Sequence, residues 1–558
     1  MKRRAAVLLL AAAAVCGALA AGPAMAATGS APAGHWGNAR TVPGLKQLGS
    51  GREGELTVTS CPAPGTCAAF GNHSDASERQ HAFHADETHG KWGKTVLVPG
   101  FTVQSGSCGG PGDCVAGGFD AAGKAATISE VSGTWSGPAP VPGIDALGGD
   151  AFLAAVSCGS PGNCAVIGEF DGARKLFAAA ETNGIWGKAQ PVTVPADLDP
   201  SGPILIDSLS CAPDGHCAAA GEYNVAAAGF AAFVVDGTNG TWGKAQQVPE
   251  LSMLKAVDSE ATSVSCASGG CAVGGWFSDG RNPGHAFIAD EVNGAWGSPQ
   301  EVPAVGVLED GGGSQVNSIS CGSAGSCVAA GITFGKAKRG GFVAGETNGT
   351  WQQSRALTGA GALSAVTDLE PQSVSCGRAG NCVTGGQSHT SSADQAFVAS
   401  EVNGSWHKAR EVPGSAALNK GNFAEVESVS CAAPGDCAAG GWYSINNNDD
   451  VLPFTADESA VTGTGLGLSA TTVKFGHEQG EKISVEVSAR TGGTPSGKVA
   501  VTGGPAGICR VTLAGGKGSC KLTARALKPG RYQLTARYGG DASYAGSASA
   551  PTALTVTK

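Results

Sequence analysis

Two sets of residues in this 558-residue chain have types and spacings that could do chemistry: cysteines in close pairs, and acids that recur at one place in a repeat. The pairs are Cys61 and Cys67, Cys108 and Cys114, Cys158 and Cys164, Cys211 and Cys217, Cys266 and Cys271, Cys321 and Cys327, Cys376 and Cys382, and Cys431 and Cys437. Each first cysteine follows a serine, and the gap is five residues in seven pairs and four in the fifth. Close thiols could serve redox or metal chemistry, but a zinc site needs four converging ligands. One pair per repeat does not supply them, so local disulfides are expected, each closing a small ring worth roughly 2 kcal/mol in the loop-entropy account.

The recurring acids are Glu87, Glu130, Glu181, Asp236, Glu291, Glu346, Glu401 and Glu458. Two carboxyl groups can share acid and base work in glycoside hydrolysis. An acid in every copy beside a hairpin turn points instead to a structural role, as partner to turn amides or to the nearby tryptophan. His81 and His84 have no counterpart in the other copies and read as loop histidines. Trp276, Trp442 and Tyr443 vary among copies, and exposed aromatic faces can stack on sugar rings; filling the space between repeats is the competing use. The run 446–450, Asn-Asn-Asn-Asp-Asp, offers oxygens to Ca2+ without the spacing of a calcium loop. The chain carries no HExxH, no phosphate-cradling Gly-Lys-Ser/Thr and no Gly-x-Ser-x-Gly, so no catalytic residue, cofactor or metal is assigned.

The elements that must position these residues are repeats. First cysteines run from Cys61 to Cys431 in seven steps, a period of about 53 residues, near that of four-stranded propeller blades. Each unit reads as four short strands with turns between them, as in 373–376, 382–386, 396–401 and 406–412. Asn403-Gly404 is a strong hairpin signal, and it sets Glu401 opposite Trp406, as Glu346 faces Trp351. A glycine two places before each second cysteine suits a tight turn. Another, four places after it, suggests a bulge or crowding by neighbouring backbone.

The ends of the array are complementary. The segment 35–44 is a fourth strand with no first three, and the copy from Cys431 to Glu458 has three strands and no fourth. A ring closed by its two chain ends explains both, and closure removes sheet edges. The expected fold is therefore all-β: an eight-bladed propeller over 27–461, closed by the strand around Trp36. A small-residue linker is expected at 462–468, then an immunoglobulin-like sandwich over 469–558.

In the last module the runs Gly493-Thr494-Pro495-Ser496-Gly497-Lys498-Val499, Ala526-Leu527-Lys528-Pro529-Gly530-Arg531-Tyr532 and Tyr538-Gly539-Gly540-Asp541-Ala542-Ser543-Tyr544-Ala545-Gly546-Ser547 stand out. Through them the segment resembles the bacterial immunoglobulin-like repeat domains of exported surface proteins. Cys509 and Cys520 depart from the commonest pattern and flank the Ala514-Gly515 turn, where a cross-strand disulfide is expected. The repeat array is similar to secreted repeat proteins of Gram-positive bacteria whose role is not assigned, so it brings no activity with it.

Composition narrows the function. Glycine is 89 residues and charged residues are 15%, which favours turns over long charged helices. Lys2, Arg3 and Arg4 precede a small apolar run, and Ala24-Met25-Ala26 fits a cleavage site, so residues 1–26 are expected to be a signal peptide. Eighteen cysteines remain after it, an even number suited to an oxidising compartment. No other run is long and apolar enough to span a bilayer. From Ser469 onward there are 12 basic and 4 acidic residues, whereas 27–468 holds 21 basic and 42 acidic. That acidity argues against nucleic acid as partner, and the basic module could hold anionic wall polymer. The expected function is an exported, non-catalytic scaffold that displays loops to a glycan or protein ligand. The alternative is a polysaccharide-active glycosidase or lyase with a site in the central channel.

Overall fold

The computed structural model describes residues 34–558 apart from short segments at 46–53, 76, 78, 89, 149, 196–197, 199–201, 226–228, 250, 281–283, 336–338, 367, 391–392, 447–449, 460–461, 490–493, 504–505 and 542–543. The expected signal peptide lies outside the described residues. Strands dominate, and no described helix is long and apolar enough to cross a membrane.

Among the described residues, eight antiparallel sheets share one strand order. Sheets are numbered here along the chain by their cysteine pairs. The seventh shows the pattern: Leu369–Arg378, Asn381–His389, Asp394–Val402, then a fourth strand broken into Ser405–Trp406 and Arg410–Glu411. The eighth takes its fourth strand from the other end of the described chain. His35 and Trp36 pair with Ser459 and Glu458, and Arg40 and Thr41 pair with Thr455 and Phe454. The expected complementarity of the two ends is thus met in the hydrogen-bond register.

The serine before each first cysteine links the sheets. Its Oγ accepts the backbone N–H of the next sheet's first cysteine: Ser60 from Cys108, Ser107 from Cys158, Ser157 from Cys211, Ser210 from Cys266, Ser265 from Cys321, Ser320 from Cys376 and Ser375 from Cys431, at 2.9–3.0 Å. Ser430 accepts from Cys61 at 2.9 Å, 369 residues away in sequence, and the circle closes. Each bond satisfies a first-strand N–H that would otherwise be orphaned near the axis.

Every first strand with a complete register carries a bulge four residues before its cysteine, as between Pro371 and Ser373. The bulge explains the second glycine position. A Cβ on Gly386 would lie 1.9 Å from the Glu370 carbonyl oxygen, and one on Gly441 would lie 1.9 Å from that of Glu425. The crowding thus comes from the sheet's own first strand. A phenylalanine opposite this glycine (Phe83, Phe177, Phe233, Phe287, Phe342, Phe397, Phe454) is fully buried in all sheets but the second, where Ala126 stands. The core therefore sits between sheets. Ala218, Ala220, Ala232 and Val234 of the fourth pack on Val264, Val273 and Phe287 of the fifth.

All eight repeat pairs are disulfides, with Cα atoms 3.9–4.0 Å apart. The glycine in each intervening turn has positive φ, for example Gly380 at 69°.

The C-terminal module is a two-sheet sandwich over Val485, Val501, Leu534 and Leu554. Residues 462–468, expected as a linker, instead form the strand Thr462–Leu468, paired along its length with Lys482–Ala489. Its alternate glycines hide the alternation of Thr462, Thr464, Leu466 and Leu468. Cys509 and Cys520 are bonded with Cα atoms 6.5 Å apart. They join the strand Ala506–Thr512 of one sheet to Lys517–Lys521 of the other, so the bridge ties the two layers together.

Candidate functional site

The seams between sheets are where the repeats stop being alike. At the outer seam the third strand of one sheet faces the fourth-strand tryptophan of the next. The register places Glu87, Glu130, Glu181, Glu291, Glu346, Glu401 and Glu458 opposite their own sheet's tryptophan. Asp236 does not share this position: Gly237 is opposite Trp242, and Asp236 stands one residue earlier, on the other face of its strand. A one-residue offset reverses the side chain, which a list of acids at strand ends cannot show.

The seven glutamates are all buried. Burial pushes the Glu87 carboxyl up to about 8, with Asp457 and Asp436 adding repulsion. Burial also raises Glu130, Glu346, Glu401 and Glu458 to about 7, and Arg355 partly offsets the effect at Glu401. Glu291 accepts from the turn amide of Gly294, and Glu458 accepts from Ser400 Oγ at 3.0 Å. Of the expected structural partners, the turn amide is met at Glu291, and the Oε2 atoms of Glu346 and Glu401 are buried without a hydrogen-bond partner among the described residues.

At five seams the residue before the one opposite the tryptophan forms a second device that sequence reading missed: its side chain accepts the indole N–H of the next sheet's tryptophan. Trp135 donates to Asp86 at 3.3 Å, Trp296 to Asp236 at 3.0 Å, Trp351 to Asp290 at 3.0 Å, Trp92 to Asp457 at 3.0 Å and Trp36 to Ser400 at 3.5 Å. In the second sheet that residue is Ser129, and the Trp186 indole N–H facing it lies buried with no partner among the described residues. The third and sixth sheets have Ala180 and Gly345 there, so Trp242 and Trp406 find no acid. A cleft opens at each of these seams. One of about 230 Å³ is lined by Ala180 and Trp242, and one of about 440 Å³ by Gly345 and Trp406. The second lies within the size range of small-molecule sites, roughly 300–1,000 Å³. The signal was present in the sequence as the alternation Asp, Ser, Ala or Gly before the recurring acid; only the pairing across seams gives it meaning.

The aromatic candidates divide by strand face. Trp276 and Trp442 are half-buried near the start of the first strands. Trp276 Nε1 donates to Glu260 at 2.9 Å, and the Trp442 ring stacks on Phe423 with centroids 4.5 Å apart. Tyr443, one residue on, faces inward: it is 2% exposed, and its hydroxyl lies 2.7 Å from Thr41 Oγ1. Tyr223 and Phe277 are buried at the same position, so these three rings fill the core.

His81 and His84 are not loop residues. Both lie on the strand Gln80–Thr88, where His81 Nε2 contacts Asp75 at 3.2 Å. The buried His84 ring packs on Trp135 with centroids 4.5 Å apart. Of the run considered for Ca2+, 447–449 lie outside the described residues, and Asn446 donates to Asp450 at 2.6 Å. His285, Glu301 and Glu309 bring three ligand atoms within 4.8 Å of one another, as do Asp368, Glu370 and His389, where Arg339 already holds Glu370 at 2.9 Å.

Acids unique to single sheets stand at the bulge of the first strand: Asp207 in the fourth and Glu427 in the eighth. The surrounding protein mass raises the Asp207 carboxyl to about 8, and Glu260, Glu222 and Glu169 add repulsion. Desolvation by the surrounding protein also raises Glu427, and Glu55 adds repulsion.

Comparison with known proteins identifies one module. Residues 466–557 match the family of bacterial Ig-like domains, group 3. No curated protein matches the chain. Among solved structures, the chain is similar to Sqt1 of Chaetomium thermophilum bound to the N-terminus of ribosomal protein L10, at 11% identity and a TM-score of 0.45, over 73% of this chain and 97% of that one. It is also similar to a subtype N11 neuraminidase-like protein of the isolate A/flat-faced bat/Peru, at 9% identity and a TM-score of 0.35, over 77% and 95%. A third is the α-L-arabinofuranosidase PaAbf62A of Podospora anserina in complex with cellotriose, at 12% identity and a TM-score of 0.24, over 47% and 98%. The shared feature is an all-β, propeller-like arrangement.

Proposed function

We propose that the chain is an exported, non-catalytic binding scaffold: an eight-bladed propeller that presents its seams and rims to an extracellular glycan or protein, followed by an immunoglobulin-like spacer or wall contact. The observation that carries this reading is the contrast between what repeats and what does not. Cysteines, bulge glycines, seam glutamates and the serine circle recur, and their places are set by the repeat. Departures fall at seam clefts and at half-buried aromatics such as Trp276 and Trp442. Rigid repeats that vary on one surface are the usual design of binding arrays. Nine disulfides and the bacterial Ig-like module fit an oxidising, extracellular setting.

The glycosidase alternative requires two carboxyl groups roughly 5–10 Å apart at one locus. Asp207 and Glu427, the single-sheet acids at the bulge, are the carboxyl groups that alternative would use. A glycan array combined with pull-down from culture medium tests it. Selective retention of a ligand supports the scaffold; polysaccharide cleavage lost on Asp207→Asn or Glu427→Gln replaces it with the enzyme. The basic C-terminal module, with 12 basic and 4 acidic residues, is proposed to hold anionic wall polymer. Wall retention of the full chain should then fall as salt rises.

A further inference from the structure

We infer that the cleft between the sixth and seventh sheets is a binding site for a carboxylate-bearing sugar, a uronic acid residue, whose carboxylate takes the place of the acid missing at Gly345. The inference rests on the scaffold reading and gives it a ligand class.

Five other seams define what Trp406 lacks. There the indole N–H is met by Asp86, Asp236, Asp290, Asp457 or Ser400 of the preceding sheet. At this seam the corresponding residue is Gly345, and a Cβ built on it would have nothing within 4 Å. The room of the missing side chain is therefore open, and the donor that faces it has no protein acceptor among the described residues. The cleft of about 440 Å³ is also lined by Arg355 and Arg378. Both guanidinium groups are exposed, on a propeller segment where acids outnumber bases two to one. An indole N–H and two guanidinium groups around a vacated carboxylate position make an anion-recognising set.

The same cleft holds the buried carboxyls of Glu346 and Glu401. The Oε2 atom of each lies buried without a hydrogen-bond partner. Buried acceptors of this kind call for donors from a ligand. A compact anion such as sulfate brings only acceptors and would be repelled. A sugar acid carries hydroxyls beside its carboxylate and answers both halves of the site. The smaller cleft at Ala180 and Trp242 likewise has no acid facing its indole, but no arginine or lysine lines it. It serves as an internal control.

The test is titration calorimetry on the full chain with trigalacturonate and triglucuronate, each against its neutral counterpart. The acidic sugars should bind at least tenfold more tightly. Gly345→Asp restores the missing partner of Trp406 and should weaken that binding at least tenfold while leaving or raising the melting temperature, so that misfolding cannot explain the loss. Arg355→Ala with Arg378→Ala should weaken it similarly, and Ala180→Asp should leave it unchanged. Equal binding of acidic and neutral sugars, or binding indifferent to Gly345→Asp, overturns the inference. If the array then shows another ligand unaffected by Gly345→Asp, the scaffold reading stands without it; if the array shows none, both fall.

Discussion

Single positions in this chain are governed by what lies within one atom's reach. Gly386 and Gly345 are both strand glycines with ordinary φ, yet they should respond oppositely to a methyl group. At Gly386 the Cβ meets the Glu370 carbonyl at 1.9 Å, so the bulge must move. Gly386→Ala should cost about 2–4 kcal/mol, in the range of severe packing defects. At Gly345 the space is open, and Gly345→Ala should stabilise by about 0.4–1 kcal/mol through the unfolded state. Chemical denaturation of the two variants checks the pair. The seam acids obey the same logic. Asp290→Ala strands the indole N–H of Trp351, a ring 6% exposed, and should cost about 1–3 kcal/mol in the same assay.

At the scale of elements, each sheet is a meander held at its inner end by a disulfide and a serine. The disulfide closes a turn whose glycine takes positive φ, and the serine ties that turn's first strand to the next sheet. These contributions are separable. Replacing Cys376 and Cys382 together by serine should cost about 2 kcal/mol by the loop-entropy relation. Ser375→Ala should cost about 1–2 kcal/mol, because the part-buried Cys431 N–H loses its acceptor. The comparison needs only melting curves of the two variants in oxidising buffer. A larger loss for the serine than for the cysteines would show that the links between sheets outweigh the staple within one.

For the whole molecule, closure and titration set the behaviour. Trp36 is 2% exposed in the eighth sheet, which its own strand completes. Trp36→Ala should cost about 3–5 kcal/mol and expose the sheet that holds Cys431 to proteolysis first. Titration acts together on six seam glutamates, all raised by burial: Glu87, Glu130, Glu181, Glu346, Glu401 and Glu458. Those at 87, 130, 346, 401 and 458 are held at about 7 to 8 in the folded chain, against 4.5 for the free group. Between pH 4.5 and 8 the folded state thus binds more protons than the unfolded state, and stability falls as pH rises. The melting temperature should be highest near pH 5 and lower by on the order of 5 °C at pH 8. Glu458→Gln should flatten that slope; a profile rising towards pH 8 would contradict the burial of these carboxyls.

Local chemistry alone determined the repeat, its hairpins, its disulfides and the complementary ends, because each depends on residues a few positions apart and is marked by Cys, Gly and Asn-Gly. The same residues made the C-terminal sandwich recognisable, although glycines at alternate positions disguised the strand Thr462–Leu468 as a linker. Which side of a strand a residue occupies was settled by register. Trp442 and Tyr443 are neighbours in sequence, yet the first reaches the surface and the second the core. The seam was decided only by the tertiary structure. Gly345 and Trp406 are 61 positions apart, in different repeats, and they line one cleft only because one sheet packs on the next. No local pattern encodes that adjacency, since it arises from packing sheet on sheet around a closed ring.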